Sequence, residues 1–181
     1  MRILYNTFIR VMYMKDDKYY FHQTPTELCK KLIDLTPLEQ GDRVIEPFRG
    51  EGAFYNHFPE FVEKYWCELE DGVDYKDFIG EYDWVISNPP FKLIESNGKE
   101  KNAFFQLLLY FTSKAKKGIA FFGNDSCLSS LTPNRIRELN ESGWFVHNII
   151  CTAIKKWRGR YYYIILKKEP CSFFQFIEGN Y

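Results

Sequence analysis

Short apolar runs that end in an acidic or polar side chain punctuate this sequence. Three of them have the length of buried strands: residues 42–46 (DRVIE), 64–68 (KYWCE) and 83–87 (DWVIS). Residues 118–122 (GIAFF) are a further apolar run of that length. Stretches with helical spacing lie before, between and after them, at residues 27–35, 103–116 and 134–142. Strands that alternate with helices predict an α/β domain with a mostly parallel sheet. Residues 144–154 and 160–168 are further strand-like runs, and we expect them to form an antiparallel pair at the end of the sheet.

Composition narrows the class of protein. A length of 181 residues with 45% apolar and 27% charged residues suits a single globular domain. The five cysteines contain no C-x-x-C and the three histidines form no H-x-x-x-H pair, which argues against a disulfide framework and against a metal site. The apolar start lacks a cleavage pattern and the length of a membrane span. We therefore expect an intracellular protein, cytoplasmic or located with the host's nucleic acid in a nucleoid or nucleus.

Charge is distributed unevenly along the chain, although the net charge is zero. Residues 1–100 carry 12 Lys and Arg against 19 Asp and Glu, whereas residues 101–181 carry 12 against 5. A basic half is typical of a face that contacts nucleic acid, and an acidic cofactor site would also skew the first half. The distribution modestly favours a nucleic-acid partner.

Polar side chains at the ends of three predicted strands indicate a ligand crevice. Ligands of open α/β sheets bind beyond the carboxyl ends of the strands, so we expect Glu46, Glu68 and Asn88 to converge there. The turn at residues 46–52 (EPFRGEG) contains a G-x-G that lets the backbone approach a ligand closely. It lacks the third glycine of a dinucleotide turn, and Glu46 and Glu51 place negative charge where a pyrophosphate would lie. A cation-bearing cofactor such as S-adenosylmethionine (SAM) fits this turn better than NAD.

Two acids after the second strand are candidate contacts for a nucleoside. Glu68 is suited to accept hydrogen bonds from a ribose diol, and Asp74 could accept one from an adenine amino group. The alternative is that Glu68, Glu70 and Asp71 form an ordinary solvated acidic turn.

A helix is predicted ahead of the first strand. Thr24 is a suitable N-cap, and Pro25 or Thr26 can occupy the first turn. One face of this helix carries Leu28, Leu32 and Leu35.

Four motifs, in order along the chain, resemble those of the class I SAM-dependent methyltransferases, most closely the adenine-N6 group. IEPFRGEGAF (45–54) matches the motif E/D-P-F-x-G-x-G-x-F, and SNPPF (87–91) matches the catalytic motif D/N/S-P-P-Y/F. FHQTPTELCKKL (21–32) is similar to the family's helix-opening cofactor segment, and KKWRGRYYYIIL (155–166) to the motif that forms one wall of the target-base pocket. The resemblance covers roughly residues 21–168. It implies a Rossmann-like sheet, a single methyltransferase domain over residues 1–181 and SAM as the cofactor.

The resemblance also implies roles for the residues at the matched positions. The catalytic residues are Asn88, Pro89, Pro90 and Phe91. The cofactor-binding residues, including the two acids considered above, are Thr24, Pro25, Glu46, Pro47, Phe48, Gly50, Gly52, Glu68 and Asp74. The target-binding residues are Trp157, Arg158, Arg160 and Tyr162, with Lys155 and Lys156 as further phosphate contacts. The alternative for the tyrosines of this segment is that they alternate between the core and the surface of an ordinary strand.

The chemistry of that family suits an Asn-Pro-Pro-Phe turn. An exocyclic adenine amine is a poor nucleophile because its lone pair is delocalised into the ring. The Asn88 side-chain oxygen and the Pro89 carbonyl can accept its two protons, which favours a pyramidal nitrogen. The prolines stiffen the turn, and Phe91 can stack on the base. A base in a duplex would have to be flipped out to reach this turn.

The expected substrate is DNA, with N6 of adenine as the methyl acceptor. A separate target-recognition region is not expected, because the longest irregular insert is the loop of residues 92–102 and only residues 169–181 follow the last strand. Specificity would then be low, set by that loop, or supplied by a specificity subunit or a second copy of the chain. The alternatives are an RNA base amine, a protein glutamine amide, an inactive cofactor-binding subunit and an NAD-dependent oxidoreductase. Enzymes that methylate protein glutamine typically carry an extra helical domain before the cofactor fold. Only about forty residues precede Arg43 here, which weakens that alternative.

Overall fold

A six-stranded sheet forms the centre of the computed structural model, which describes residues 23–94, 100–155 and 157–170. The strands in chain order are β1 (Arg43–Glu46), β2 (Glu63–Trp66), β3 (Trp84–Ser87), β4 (Lys92–Ile94), β5 (Glu100–Asn102), β6 (Gly118–Asn124), β7 (Phe145–Thr152) and β8 (Tyr161–Lys167). The α-helices are α1 (Thr26–Asp34), α2 (Phe104–Thr112), α3 (Asp125–Ser129) and α4 (Pro133–Glu141). Short 3₁₀ turns occupy Tyr55–His57 and Leu69–Asp71.

The order of the strands confirms the predicted fold class. The sheet runs β2-β1-β3-β6-β8-β7, and the first four of these strands are parallel. Strand β8 lies between β6 and β7 and is antiparallel to both. The carboxyl ends of β1, β2, β3 and β6 therefore lie along one edge of the sheet, where the loop between β7 and β8 also lies. We call this the carboxyl edge.

Both faces of the sheet are covered, because its central strands are apolar on both sides. Helix α1 packs on one face, through Cys29, Leu32 and Ile33. Helices α2 and α4 are buried on the opposite face, where α2 contributes a run of aromatic and leucine side chains. Aromatic rings fill much of this second core, which accounts for many of the 17 Phe and 13 Tyr residues.

Charged pairs close the opposite, amino edge of the sheet. Asp42, just before β1, is almost fully buried, and its carboxylate accepts hydrogen bonds from the Glu39 backbone N–H (2.8 Å) and from Lys117 Nζ (2.7 Å). Arg43 pairs with Asp83 at the start of β3. A buried carboxylate needs such partners, so these pairs fix how the strands begin.

Three details of the sequence prediction are wrong. Thr24 does not cap α1: Pro25 is the N-cap residue, and no side chain caps the helix. Leu35 is 54% exposed, because α1 ends at Asp34 and the chain turns before this side chain reaches the core. Residues 92–102 are not wholly irregular, since β4 and β5 pair as an antiparallel hairpin.

Candidate active site

The glycine turn after β1 has the backbone conformation that its sequence predicts. Gly50 and Gly52 have φ angles of 51° and 85°, in the left-handed region that disfavours other residues. The turn lies against the end of β2, because Gly50 N donates a 2.6 Å hydrogen bond to Glu68 Oε2. Glu70 N donates to the other oxygen, Oε1, at 3.3 Å. The structure therefore brings the turn and Glu68 together.

Glu68 is a buried acceptor rather than part of a solvated turn. Its side chain is 6% exposed, while Glu70 and Asp71 beside it are exposed. A carboxylate has about four lone-pair positions, so two N–H donors leave acceptor capacity for hydroxyl groups. Asp74, further along, is half-buried and accepts a hydrogen bond from its neighbour Lys76 N at 3.0 Å.

Glu46 is buried under the same turn, with 2% of its surface exposed. Its Oε2 accepts a 2.6 Å hydrogen bond from Tyr55 N. Burial raises the pKa of this carboxyl well above 4.5, and the hydrogen bond from Tyr55 only partly opposes that shift. Glu46 is therefore a buried acid whose charged form would be stabilised by a cation.

Arg49, the basic residue within the turn, is already partnered. Its guanidinium forms an ion pair with Asp71 and lies 3.9 Å from the centre of the Trp66 ring. Pro47 and Phe48 beside it are buried, and Phe48 packs edge-on against Tyr75 with ring centres 5.0 Å apart. The carboxylates of Glu46 and Glu68 thus dominate the charge of the turn.

Asn88 follows β3 directly and carries an unusual hydrogen-bonding pattern. Its side-chain Nδ2 donates to Thr24 Oγ1 at 3.2 Å. Its Oδ1 is buried, yet accepts no hydrogen bond within the part of the chain that the structure describes. An unpaired buried acceptor costs about 1–3 kcal/mol, so such an atom calls for a donor from outside the fold.

The start of helix α1 lies near both the Asn88 amide and the Glu46 carboxyl. Thr24 is 3% exposed, and its carbonyl receives a weak hydrogen bond from Cys29 Sγ at 3.7 Å. Burial raises the pKa of the Cys29 thiol to about 12, and the nearby Glu46 carboxylate adds to the shift. Thr24 and Asn88 therefore meet just before α1, and Glu46 lies near Cys29 in the first turns of that helix.

The remainder of the Asn-Pro-Pro-Phe turn leads into the β4–β5 hairpin. Pro89 is buried, and Pro90 and Phe91 are half-buried. The Phe91 ring packs against the core next to Gly123, where an added Cβ would lie 3.8 Å from the ring and 2.4 Å from Cys127 Sγ. Gly123 therefore lets Cys127 of α3 pack closely on β6, with the Phe91 ring at ordinary contact distance.

The β7–β8 loop carries the residues predicted to bind the target. Arg158 and Arg160 are exposed at the carboxyl edge, as is Lys155, whereas Lys156 lies outside the described residues. Trp157 is half-buried and meets Tyr161 edge-on at 4.8 Å between ring centres. Trp157, Arg158 and Arg160 thus lie on one loop, on the same edge as Asn88, whereas Tyr162 lies in β8.

Tyr162 is held within the fold. It is 7% exposed, and its hydroxyl donates to Asp125 Oδ1 at 2.9 Å. The alternative of tyrosines alternating between core and surface is wrong, because Tyr161, Tyr162 and Tyr163 are all buried in a strand covered on both faces. Asp125 also accepts a hydrogen bond from Arg160 N at 3.3 Å, so it holds both the end of the β7–β8 loop and Tyr162 at the start of β8.

Two residues of the site were not singled out from the sequence. Asp125 begins a five-residue helix that was not predicted, and Gly123 lies inside a strand. A glycine inside a strand is a signal of close approach, and it could have identified the second of them.

Two features are absent from the described ranges. None of their helices has the length and apolar character needed to cross a bilayer. In that same part of the chain, no cluster of three or more His, Cys, Asp or Glu side chains is arranged to hold a metal ion.

Comparison of the sequence with models of protein families and with curated proteins gave no match. Solved structures do resemble the fold. A proposed class I S-adenosylmethionine-dependent methyltransferase of Listeria monocytogenes superposes with a TM-score of 0.60 at 12% identity, over 81% of this chain and 60% of that one.

Two further structures are similar to this chain. The modification subunit of a proposed type I restriction enzyme of Vibrio vulnificus gives a TM-score of 0.61 at 14% identity, over 85% of this chain and 46% of that one. A proposed RNA methyltransferase of Pyrococcus horikoshii gives 0.50 at 14%, over 87% and 93%. The chain spans about half of the Vibrio protein and somewhat more of the Listeria protein. The glycine turn, the strand order and these similarities agree: the chain has the fold of the class I methyltransferases.

Proposed function

We propose that this protein is a SAM-dependent N-methyltransferase whose acceptor is the exocyclic N6 amine of adenine in DNA. The observation that carries the proposal is Asn88 Oδ1, a buried acceptor without a described partner, on the edge where the glycine turn also lies. An amine N–H is the donor that this oxygen lacks.

The residues of the glycine turn fit SAM as the cofactor. The buried carboxyls of Glu46 and Glu68 favour a ligand with positive charge, and the Arg49 guanidinium is already paired with Asp71 and packed on the Trp66 ring. Glu68 retains acceptor capacity for the ribose hydroxyls, and Glu46 lies where the methionine ammonium would gain most from a buried carboxylate. Thr24, Pro25, Pro47, Phe48, Gly50, Gly52 and Asp74 complete the proposed cofactor set.

The catalytic roles belong to the turn after β3. When bound, SAM supplies an electrophilic methyl group, which no side chain of this chain can provide. Asn88 Oδ1 and the Pro89 carbonyl would each accept a hydrogen bond from one N–H of the amine, so that the nitrogen lone pair is withdrawn from the ring and directed at the methyl carbon. Phe91 stacks on the base, with Pro90 holding the turn rigid. The proton lost from nitrogen leaves to solvent after transfer, and no enzyme-bound covalent intermediate is needed.

Nucleic acid is proposed as the substrate because three exposed basic side chains lie on one loop at the carboxyl edge. Lys155, Arg158 and Arg160 lie on the β7–β8 loop and would contact phosphates, and we assign Trp157 of that loop and the buried Tyr162 of β8 to the wall beside the base. Selection of a sequence would come from the β4–β5 hairpin, from a specificity subunit or from a second copy of the chain.

The test is to incubate the protein with methyl-labelled SAM and either DNA or RNA, then to digest the product to nucleosides. Labelled N6-methyl-2′-deoxyadenosine from DNA, lost in Asn88→Ala and retained in Asn140→Ala, is the expected result. Asn140 is the matched control because it is an exposed asparagine on α4, distant from the site in the fold. Label found only in RNA or in protein glutamine would exclude DNA as the substrate. SAM binding without any transfer would identify an inactive subunit instead.

A further inference from the structure

The acidic residue that follows β6 joins the sheet to the segment proposed to bind the target. The ladder between β6 and β8 ends with the pair of Asn124 and Tyr161. The backbone N–H of Arg160, one residue beyond that pair, donates to Asp125 Oδ2 at 3.3 Å. The Tyr162 hydroxyl donates to the other oxygen, Oδ1, at 2.9 Å. The Asp125 carboxylate therefore extends the pairing of the sheet by one residue toward the β7–β8 loop.

The chemistry of a carboxylate fixes the direction of both hydrogen bonds. An ionised carboxylate only accepts, so Tyr162 and Arg160 must be the donors. Their hydrogen bonds lower the pKa of Asp125 from its ordinary value, which keeps the group charged at neutral pH. The Arg160 guanidinium lies 3.5 Å from Oδ1, measured from Nε, but both side chains are largely exposed and this ion pair is weak. A phosphate could therefore take the guanidinium without breaking the other two contacts.

The chain passes closely over this carboxylate before it enters β8. Gly159 has a φ of 86°, in the left-handed region, and a Cβ at that position would lie 3.3 Å from Asp125 Oδ2. Asp125 is itself well anchored. On one side Asn124 Oδ1 accepts a hydrogen bond from Ser126 N at 3.0 Å, and on the other Cys127 is buried against β6. The loop is thus held against a fixed point of the sheet.

We propose that Asp125 is a positioning residue that holds the target segment, defined as residues 157–162, in place at the carboxyl edge. The inference rests on the proposed function, which assigns four side chains of this segment to the target. Asp125 acts through the segment and not on the methyl acceptor. A wall that shifts relative to the catalytic turn misplaces the base, and such a misplacement costs turnover more than binding.

The first experiment measures this holding role without any substrate. Hydrogen exchange of the backbone, read by mass spectrometry, is compared in wild type, Asp125→Ala and Glu141→Ala. Glu141 is the matched control because it is an exposed acid at the end of α4, just before β7 begins at the amino edge. Peptides covering the target segment should exchange roughly tenfold faster in Asp125→Ala alone, since local contacts set the rate of local opening. Peptides of β1 and β3 should keep the wild-type rate.

The second experiment separates turnover from binding. Removing a negative charge beside Arg160 strengthens the attraction to phosphates, so the Kd for DNA in Asp125→Ala should be equal to or lower than that of wild type. The kcat for methyl transfer should nevertheless fall roughly tenfold, because the segment no longer holds the base against the catalytic turn. The Kd for SAM should change by less than about twofold, because Asp125 lies outside the proposed cofactor set.

The third experiment asks whether the Tyr162 hydroxyl works through the acid. Tyr162→Phe keeps the buried ring and removes the hydroxyl that donates to Asp125. Alone, it should lower kcat roughly threefold to tenfold, the effect of one lost hydrogen bond. Combined with Asp125→Ala, it should alter kcat by less than about twofold, because the partner is already gone. A hydroxyl that acted directly on the target would cost the same in both backgrounds.

The outcomes separate the two proposals. If the wild-type protein transfers no methyl group to DNA, the proposed function fails, and exchange in the target segment still decides whether Asp125 holds it. If transfer occurs and Asp125→Ala leaves either the exchange or kcat unchanged, the positioning role is overturned. Faster exchange in β1 and β3 as well would mark a general loss of stability and would overturn it, as would equal losses from Tyr162→Phe in both backgrounds.

Discussion

Replacing Asn88 by leucine should abolish methyl transfer and yet stabilise the ligand-free protein. Leucine has nearly the shape of asparagine but no polar atoms, so the substitution removes the buried Oδ1 that lacks a described partner. A residue kept for catalysis at the expense of folding stability would behave in this way.

The magnitude follows from the hydrogen bonds of the amide. Removing an unpaired buried acceptor gains about 1–3 kcal/mol, and losing the Nδ2 bond to Thr24 forfeits about 0.5–1.5 kcal/mol. The net gain is about 1 kcal/mol in the free energy of unfolding. For a chain of this size, that raises Tm by roughly 2–4 °C. Adding Thr24→Val to Asn88→Leu should stabilise the protein a little more, because the Thr24 hydroxyl is otherwise left without its donor.

The assay is urea unfolding followed by circular dichroism, without cofactor, together with thermal scans of the same samples. Asn140→Leu on the surface of α4 is the control, and it should stay within about 0.5 kcal/mol of wild type. A clear loss of stability in Asn88→Leu, with an unchanged m-value, would refute the reasoning. It would mean that solvent already satisfies Oδ1 in the free protein.

Three further predictions concern other parts of the fold. Lys117→Met should lower the free energy of unfolding by about 1–2 kcal/mol, because it removes a partner of the buried Asp42 carboxylate. The loss is no larger because Lys117 is 42% exposed and water screens the pair. Adding Asp42→Asn should recover part of this loss in urea unfolding. Gly118→Ala should lower the free energy of unfolding by about 1–3 kcal/mol, because the new Cβ would lie 2.1 Å from the buried Trp84 ring. Adding Trp84→Phe should relieve this clash and raise Tm again in thermal scans. The raised pKa of Glu46 stabilises the ligand-free fold below the ordinary value of 4.5, and this contribution is lost as the pH rises through the folded-state pKa. SAM binding, which lowers that pKa, should therefore release a proton that calorimetry in two buffers detects, and Glu46→Gln should bind SAM without this release.

The parts of the fold that could be predicted are those where a local pattern has one physical explanation. Short apolar runs, three of them ending in a polar group, predicted the parallel strands. The G-x-G predicted a tight turn, and both of its glycines have left-handed backbone angles. The placement of Glu46, Glu68 and Asn88 on one edge of the sheet followed from the geometry of parallel strands alone.

The errors arise where a distant part of the chain decides the role of a residue. Thr24 has the local character of a helix cap, and only the arrival of β3 gives its hydroxyl to Asn88 instead. The tyrosines of β8 do not alternate in exposure, because α1 covers one face of that strand and the α2 and α4 layer covers the other. Pairing between β4 and β5 could not be predicted from a polar segment whose strands are only three residues long.

The position of β8 between β6 and β7 has a consequence for synthesis on the ribosome. Among the strands of residues 23–170 that the structure describes, β7 pairs with β8 alone. After translation of β7 it therefore lacks this neighbour, and the edge of β6 stays open until β8 emerges. Tyr163, which anchors the far end of α1, also arrives with that strand. A nascent chain would therefore carry every residue of its cofactor turn long before the helix beside it is secured, and it would gain its working geometry in one late step.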